Sequence, residues 1–125
     1  MRRSLIRVAS VVAIVSAMGV AGGTLVAEAA TAHAASATVT VTAVEFKFTL
    51  SSKSVKHGSV TFKVTNKGKI AHDFSIPSLH KSTRLLQPGS KQLLTVRFAK
   101  AGSFYYLCTV PRHAQEGMAG SFIVK

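Results

Sequence analysis

The 125-residue chain contains a single cysteine, Cys108, so no intramolecular disulfide can brace it. Acidic side chains are nearly as scarce, four against sixteen Lys and Arg. Beyond residue 34 only Glu45, Asp73 and Glu116 remain, opposed by thirteen basic residues, a balance of about +10 that bears on solubility and on anionic partners rather than on fold. The lysines stand singly, as at Lys47, Lys53, Lys56, Lys63, Lys67 and Lys69, with no basic block and no interleaved aromatic platform. That pattern excludes nucleic-acid binding as the function. No stretch after Ala37 keeps a 3.6-residue apolar period over a helical length, which excludes a helical bundle. Internal repeats are absent, as is low complexity beyond an Ala-rich start.

What is present begins with that start. Arg2, Arg3 and Arg7 precede an almost unbroken apolar run from Val8 to Val20, and Ala32-His33-Ala34 offers small residues at a cleavage position. Residues 1–34 therefore read as a signal peptide, with Ala27-Glu28-Ala29 as a second possible cleavage site. An uncleaved anchor is the alternative, since the apolar stretch through Ala27 approaches the roughly 20 residues that span a bilayer. The Arg2-Arg3 pair lacks the leading Ser or Thr of a twin-arginine signal. Export to the periplasm, cell surface or medium is expected. The domain is then residues 35–125, about 90 residues, small enough that core burial alone leaves a modest margin of stability. With disulfides excluded, a bound metal is the remaining common brace. A lone thiol in an oxidising compartment also needs a reason to persist, and metal ligation supplies one.

Within this domain the apolar period is two. Thr38 to Phe48 alternates, with Val39, Val41 and Ala43 on one parity before Phe46 and Phe48 take over the other, which reads as one half-buried strand with a bulge at the switch. Ser59 to Thr65 repeats the alternation and ends on the turn residues Asn66-Lys67-Gly68. Further strands are expected at Phe74 to Ile76, Leu93 to Phe98, Phe104 to Leu107 and Ser121 to Val124. Pro77 to Gly89 is the longest irregular piece and can cross between two sheets. About seven short strands separated by Gly, Pro and Asn predict an all-β Greek-key sandwich.

Between the last two strands stands Cys108-Thr109-Val110-Pro111-Arg112-His113-Ala114-Gln115-Glu116-Gly117-Met118, a Cys-x4-His-x4-Met array on one loop. Thiolate, imidazole and thioether together favour copper, and a trigonal His2Cys set with a long axial Met is the arrangement of blue-copper electron-transfer sites. His72, at the start of a strand just after the Asn66 to Gly68 turn, is the best second imidazole. Its rivals are His57, before Gly58 in an ordinary turn, and His80, in the long crossover; both read as solvated. Taken singly, Cys108 would be a small core hydrophobe and Met118 core filler, and only the ligand count argues otherwise.

The order of these residues resembles the cupredoxin family of plastocyanin- and azurin-like blue-copper proteins. The family's Asn-x-Gly, His, Cys, His, Met series stands here as Asn66-Lys67-Gly68, His72, Cys108, His113 and Met118. The likeness extends to Val44 to Phe48, Gln87-Pro88-Gly89 and Ala101 to Leu107, nearly the whole domain. It implies a cupredoxin-like sandwich binding one type 1 copper ion, with Cys108 as thiolate, His72 and His113 as equatorial ligands, Met118 axial, and cycling between Cu(I) and Cu(II). The four-and-four loop spacing is closest to rusticyanin-like members. The residue after the first ligand is often Asn in the family; here Asp73 is expected to supply the hydrogen bond to the Cys loop.

An electron-transfer protein rather than an enzyme is therefore expected. A thiol hydrolase built on Cys108 and His113 would leave His72 and Met118 unexplained, and the chain lacks the His-x-His pairs of a trinuclear copper centre. A copper carrier or storage module is the alternative, although no Met-rich or multi-Cys site is visible. The expected partners are acidic redox proteins approaching a monomer beside His113, the ligand expected nearest the surface. The positive charge also suits an anionic membrane or wall surface.

Overall fold

The structure is a computed structural model that describes residues 36–125; the leader and its two cleavage sites lie outside the described residues. Among the described residues nine strands follow one another: β1 (Ala37–Val44), β2 (Lys47–Leu50), β3 (Ser54–Val55), β4 (Gly58–Asn66), β5 (Ser75–Ile76), β6 (Lys81–Ser82), β7 (Lys91–Phe98), β8 (Gly102–Leu107) and β9 (Ala119–Val124). They form a four-stranded sheet ordered β2-β1-β4-β7 and a five-stranded sheet ordered β3-β9-β8-β5-β6. Successive strands repeatedly change sheet, as a Greek-key sandwich requires and a meander does not. Each sheet is mixed, with β1 and β4 parallel in one and β3 and β9 parallel in the other.

Alternation decides which face is inside. In β4 the buried side chains include Val60, Phe62 and Val64, with Thr61, Lys63 and Thr65 turned outward, the period-two pattern of a strand with one wet face. Aromatic rings lock the two sheets together. Phe62 of β4 meets Phe122 of β9 at 5.3 Å, and Phe98 of β7 meets the same ring at 5.7 Å. Phe48, on the edge strand β2, stands edge-on to Phe74 and Tyr106. Such pairs each contribute about 0.5–1.5 kcal/mol beyond the area they bury. Tyr106 faces this core while its neighbour Tyr105 is exposed.

Two expectations need correction. Thr38 to Phe48 is not one bulged strand: the chain reverses at Glu45-Phe46, and β2 returns antiparallel to β1 with Val44 opposite Lys47. Phe46 takes φ 61° there, a left-handed conformation rare for a bulky residue. The parity switch thus marks a two-residue turn. The count of about seven strands also misses the two-residue edges β3 and β6, too short to carry a period. Pro77 to Gly89 does cross between sheets, by way of a 3-10 turn at Pro77–Leu79, the edge strand β6 and a bridge from Leu86 to His72.

Candidate metal centre

The Cys loop joins the ends of β8 and β9, where Leu107 pairs with Ala119. Its own backbone ties its ends together. The Cys108 N–H donates to the Met118 carbonyl at 3.0 Å, and the Met118 N–H donates to the His113 carbonyl at 3.0 Å. Gly117 turns the chain at φ 115°, a conformation that suits glycine. The positions of Cys108, His113 and Met118 are thus set by the sheet and by one closed loop.

His72 arrives from the crossover side. It exchanges both backbone hydrogen bonds with Leu86, at 3.0 and 2.8 Å. Buried Asn66 holds this region: its Nδ2 donates to the carbonyls of Ile70 and Leu86, its Oδ1 accepts from Gly68 N–H, and its backbone bonds Ser90 and Gly89. Asn66, which reads in the sequence as a turn residue, is therefore a clamp joining the Asn-x-Gly turn to the Gln87-Pro88-Gly89 turn. Asp73 fastens the other side. Its carboxylate accepts from the Thr109 N–H at 2.6 Å and from the Thr109 hydroxyl, which is the link to the Cys loop that the sequence led us to expect.

These clamps bring His72, Cys108 and His113 together, all buried, with one ligand atom of each within 4.8 Å of the others. His72 Nδ1 stands 3.2 Å from His113 Nδ1, and Cys108 Sγ stands 4.0 and 3.5 Å from those two nitrogens. Ligands about 2.0–2.3 Å from an ion, at ligand–ion–ligand angles of about 100–120°, lie about 3.1–4 Å apart. The three atoms therefore have the spacing of a ligand triangle. Met118 is fully buried in the same loop. His113, 6% exposed, is the most accessible of the four.

Electrostatics suit the same use. Burial pushes the His72 pKa down, favouring the neutral imidazole a metal needs. It pushes the Cys108 thiol up, so without a cation nearby this sulfur keeps its proton. The β1–β2 turn closes the site, a role its residues did not announce in sequence. Phe46 lies edge-on to His113 with centroids 5.3 Å apart, and Glu45 Oε1 stands 3.5 Å from His72 Nε2.

Residues 14–124 match the family model of the cupredoxin-like domain. The chain belongs to the cupredoxin-like family. Among solved structures, this cupredoxin is similar to reduced auracyanin from Roseiflexus castenholzii, at 18% identity and TM-score 0.60, over 74% of this chain and 98% of that one. It is also similar to auracyanin A, a "blue" copper protein from Chloroflexus aurantiacus, at 15% identity and TM-score 0.56, covering 73% and 100%. A third is the periplasmic domain of cytochrome oxidase subunit II from Bradyrhizobium japonicum, at 16% identity and TM-score 0.59, covering 70% and 83%. At these identities the likeness speaks for the fold. No curated protein matches the chain in sequence. The family and the buried donor set of this cupredoxin are consistent with one type 1 copper ion.

The other two histidines of the domain lie apart from the cluster, as expected. His57 is exposed, with Nδ1 3.1 Å from the Lys125 carbonyl. His80 is exposed at the end of the 3-10 turn. Copper titration of the alanine variants should give one equivalent for His57→Ala and His80→Ala and less than one tight equivalent for His72→Ala. Loss of the ion in the His80 variant would displace His72 from the site.

Proposed function

We propose that this cupredoxin is an exported electron-transfer protein rather than an enzyme. It would hold one copper through His72 Nδ1, His113 Nδ1 and Cys108 Sγ, with the buried Met118 thioether as the fourth donor. The observation that carries this reading is the buried triangle of two imidazole nitrogens and one sulfur. Such an ion would supply one-electron exchange between Cu(I) and Cu(II). The chain supplies geometry that need not change with that exchange, since any rearrangement adds to the barrier. Asn66 and Asp73 serve this purpose by pinning the two loops that carry the ligands. None of the four residues is more than 6% exposed, which favours retention of the ion over the hand-over a copper carrier requires.

His113 is the proposed point of electron exit, because it is the most exposed ligand and exposed Phe46 and Pro111 lie on the turn and loop around it. The loops holding the site and the start of β2 also carry exposed Lys47, Lys67, Lys69 and Arg112, against exposed Glu116 and partly exposed Glu45. A positive rim of this kind steers acidic partners and repels basic ones. The test is the rate at which an acidic and a basic small redox protein oxidise the reduced form as salt rises from about 10 to 150 mM, over which the Debye length falls from about 30 to 8 Å. The rate with the acidic acceptor should fall by about tenfold or more, and the rate with the basic one should rise. Flat profiles for both would remove the steering and assign the lysines to solubility or to retention at an anionic surface.

A further inference from the structure

The two imidazoles of the centre are each touched by one residue of the β1–β2 turn, and the contact at His72 is polar. His72 Nε2 is fully buried and makes no regular hydrogen bond among the described residues. Glu45 Oε1 faces it at 3.5 Å, just beyond ordinary hydrogen-bond length. An N–H left unpaired there would carry a desolvation penalty, so the carboxylate opposite it is informative.

Three features hold Glu45 in this place. Its Oε1 accepts from the backbone N–H groups of Lys69 and Ile70, two donors that suit a charged carboxylate. The turn that presents it is built with Phe46 at φ 61°, a strained conformation that persists only where surrounding contacts require it. The third is space. A Cβ at Gly68 would collide with Glu45 Oε1 and stand 3.0 Å from His72 Nε2, so the glycine of Asn66-Lys67-Gly68 leaves the room in which carboxylate and imidazole meet.

We propose that Glu45 is a positioning residue of the metal centre: its carboxylate takes the Nε2–H of His72 and leaves Nδ1 free to ligate. This rests on the function proposed above. A carboxylate behind a ligating imidazole fixes its tautomer and ring plane and raises its basicity. Because the carboxylate is anionic, it also favours the more highly charged oxidation state of the ion in front. Glu45 thus ties the tip of the β1–β2 turn to the redox balance of the site, although it ligates nothing itself.

A purely structural role, in which Glu45 only caps the 67–70 loop, makes a different prediction, and Glu45→Gln separates the two. The glutamine oxygen can still accept from Lys69 and Ile70, so the loop is kept, while the charge is lost. The variant should show a Cu(II)-to-Cu(I) affinity ratio lower by about tenfold, read as a rise of about 59 mV in reduction potential for one electron. Its metal-free melting temperature should stay close to that of the wild type. Gly68→Ala, which displaces the carboxylate without removing it, should weaken Cu(II) binding in the same direction by about 10-fold or more. A blue wild type together with an unchanged potential in the Gln variant would overturn the Glu45 role alone, whatever the melting temperatures. A wild type that takes up no copper would overturn the proposed function, and the Glu45 role with it.

Discussion

Cys108→Ser is expected to abolish both the blue colour and tight copper binding. Cys108 is 1% exposed, and its sulfur stands 3.5 and 4.0 Å from the two histidine nitrogens, so in the proposed site it is the one anionic ligand. A serine hydroxyl at that point is a harder donor that does not ionise at neutral pH, and the thiolate-to-copper charge transfer responsible for the colour disappears with the sulfur. The loss of affinity should exceed the roughly 10–100-fold that follows removal of a hydrogen bond to a ligand, as read by competition titration. Met118→Gln should behave differently. The axial position tolerates a glutamine oxygen, so this variant should remain blue at a shifted potential. A Cys108→Ser protein that stays blue would refute the ligand assignment.

The second large effect expected is on stability. Ligation possible only in the folded chain adds RT ln(1 + [L]/Kd), about 4 kcal/mol at a thousandfold excess of copper over Kd. For a domain of this size each kcal/mol moves the melting temperature by about 4–8 °C, so copper should raise it by about 15–30 °C in calorimetry. The effect should depend on pH with a definite sign. Burial holds the Cys108 thiol above its ordinary pKa, so copper must displace a proton from it. Apparent affinity then rises with pH while the free thiol is protonated, by about tenfold or 1.4 kcal/mol per unit. Equal melting temperatures with and without copper would contradict a tight, pre-folded site.

Much of this centre was legible in the sequence, for physical reasons. Cys108, His113 and Met118 lie on one loop, where spacing alone brings ligands together, and His72 follows a turn whose Asn66 and Gly68 are recognisable. Asp73 could be anticipated because it adjoins a ligand. The sandwich was legible through the alternation of β1, β4 and β7, each with one wet face. The Glu45-Phe46 turn was not. Neither residue is a usual turn former, Phe46 continues an apolar alternation, and the ring it packs against, His113, lies on a distant loop. For the same reason Glu45 carried no sign of its place behind His72, because that neighbour is 27 positions away and only the sheet order joins them. The clamp role of Asn66 was hidden likewise, since its partners at Leu86, Gly89 and Ser90 lie across the crossover. The short edges β3 and β6 exist only as pairings with β9 and β5, and two residues cannot display a period.

In the proposed site His72, Cys108, His113 and Met118 together hold one redox-active copper ion. This is tested most directly by titrating the metal-free protein with Cu(II) while recording its visible spectrum, then adding a one-electron reductant. An intense thiolate-to-copper band should saturate at one equivalent, bleach with one electron and return fully on reoxidation. A protein that stays colourless, or whose colour fails to return because copper is released on reduction, would contradict the proposed site.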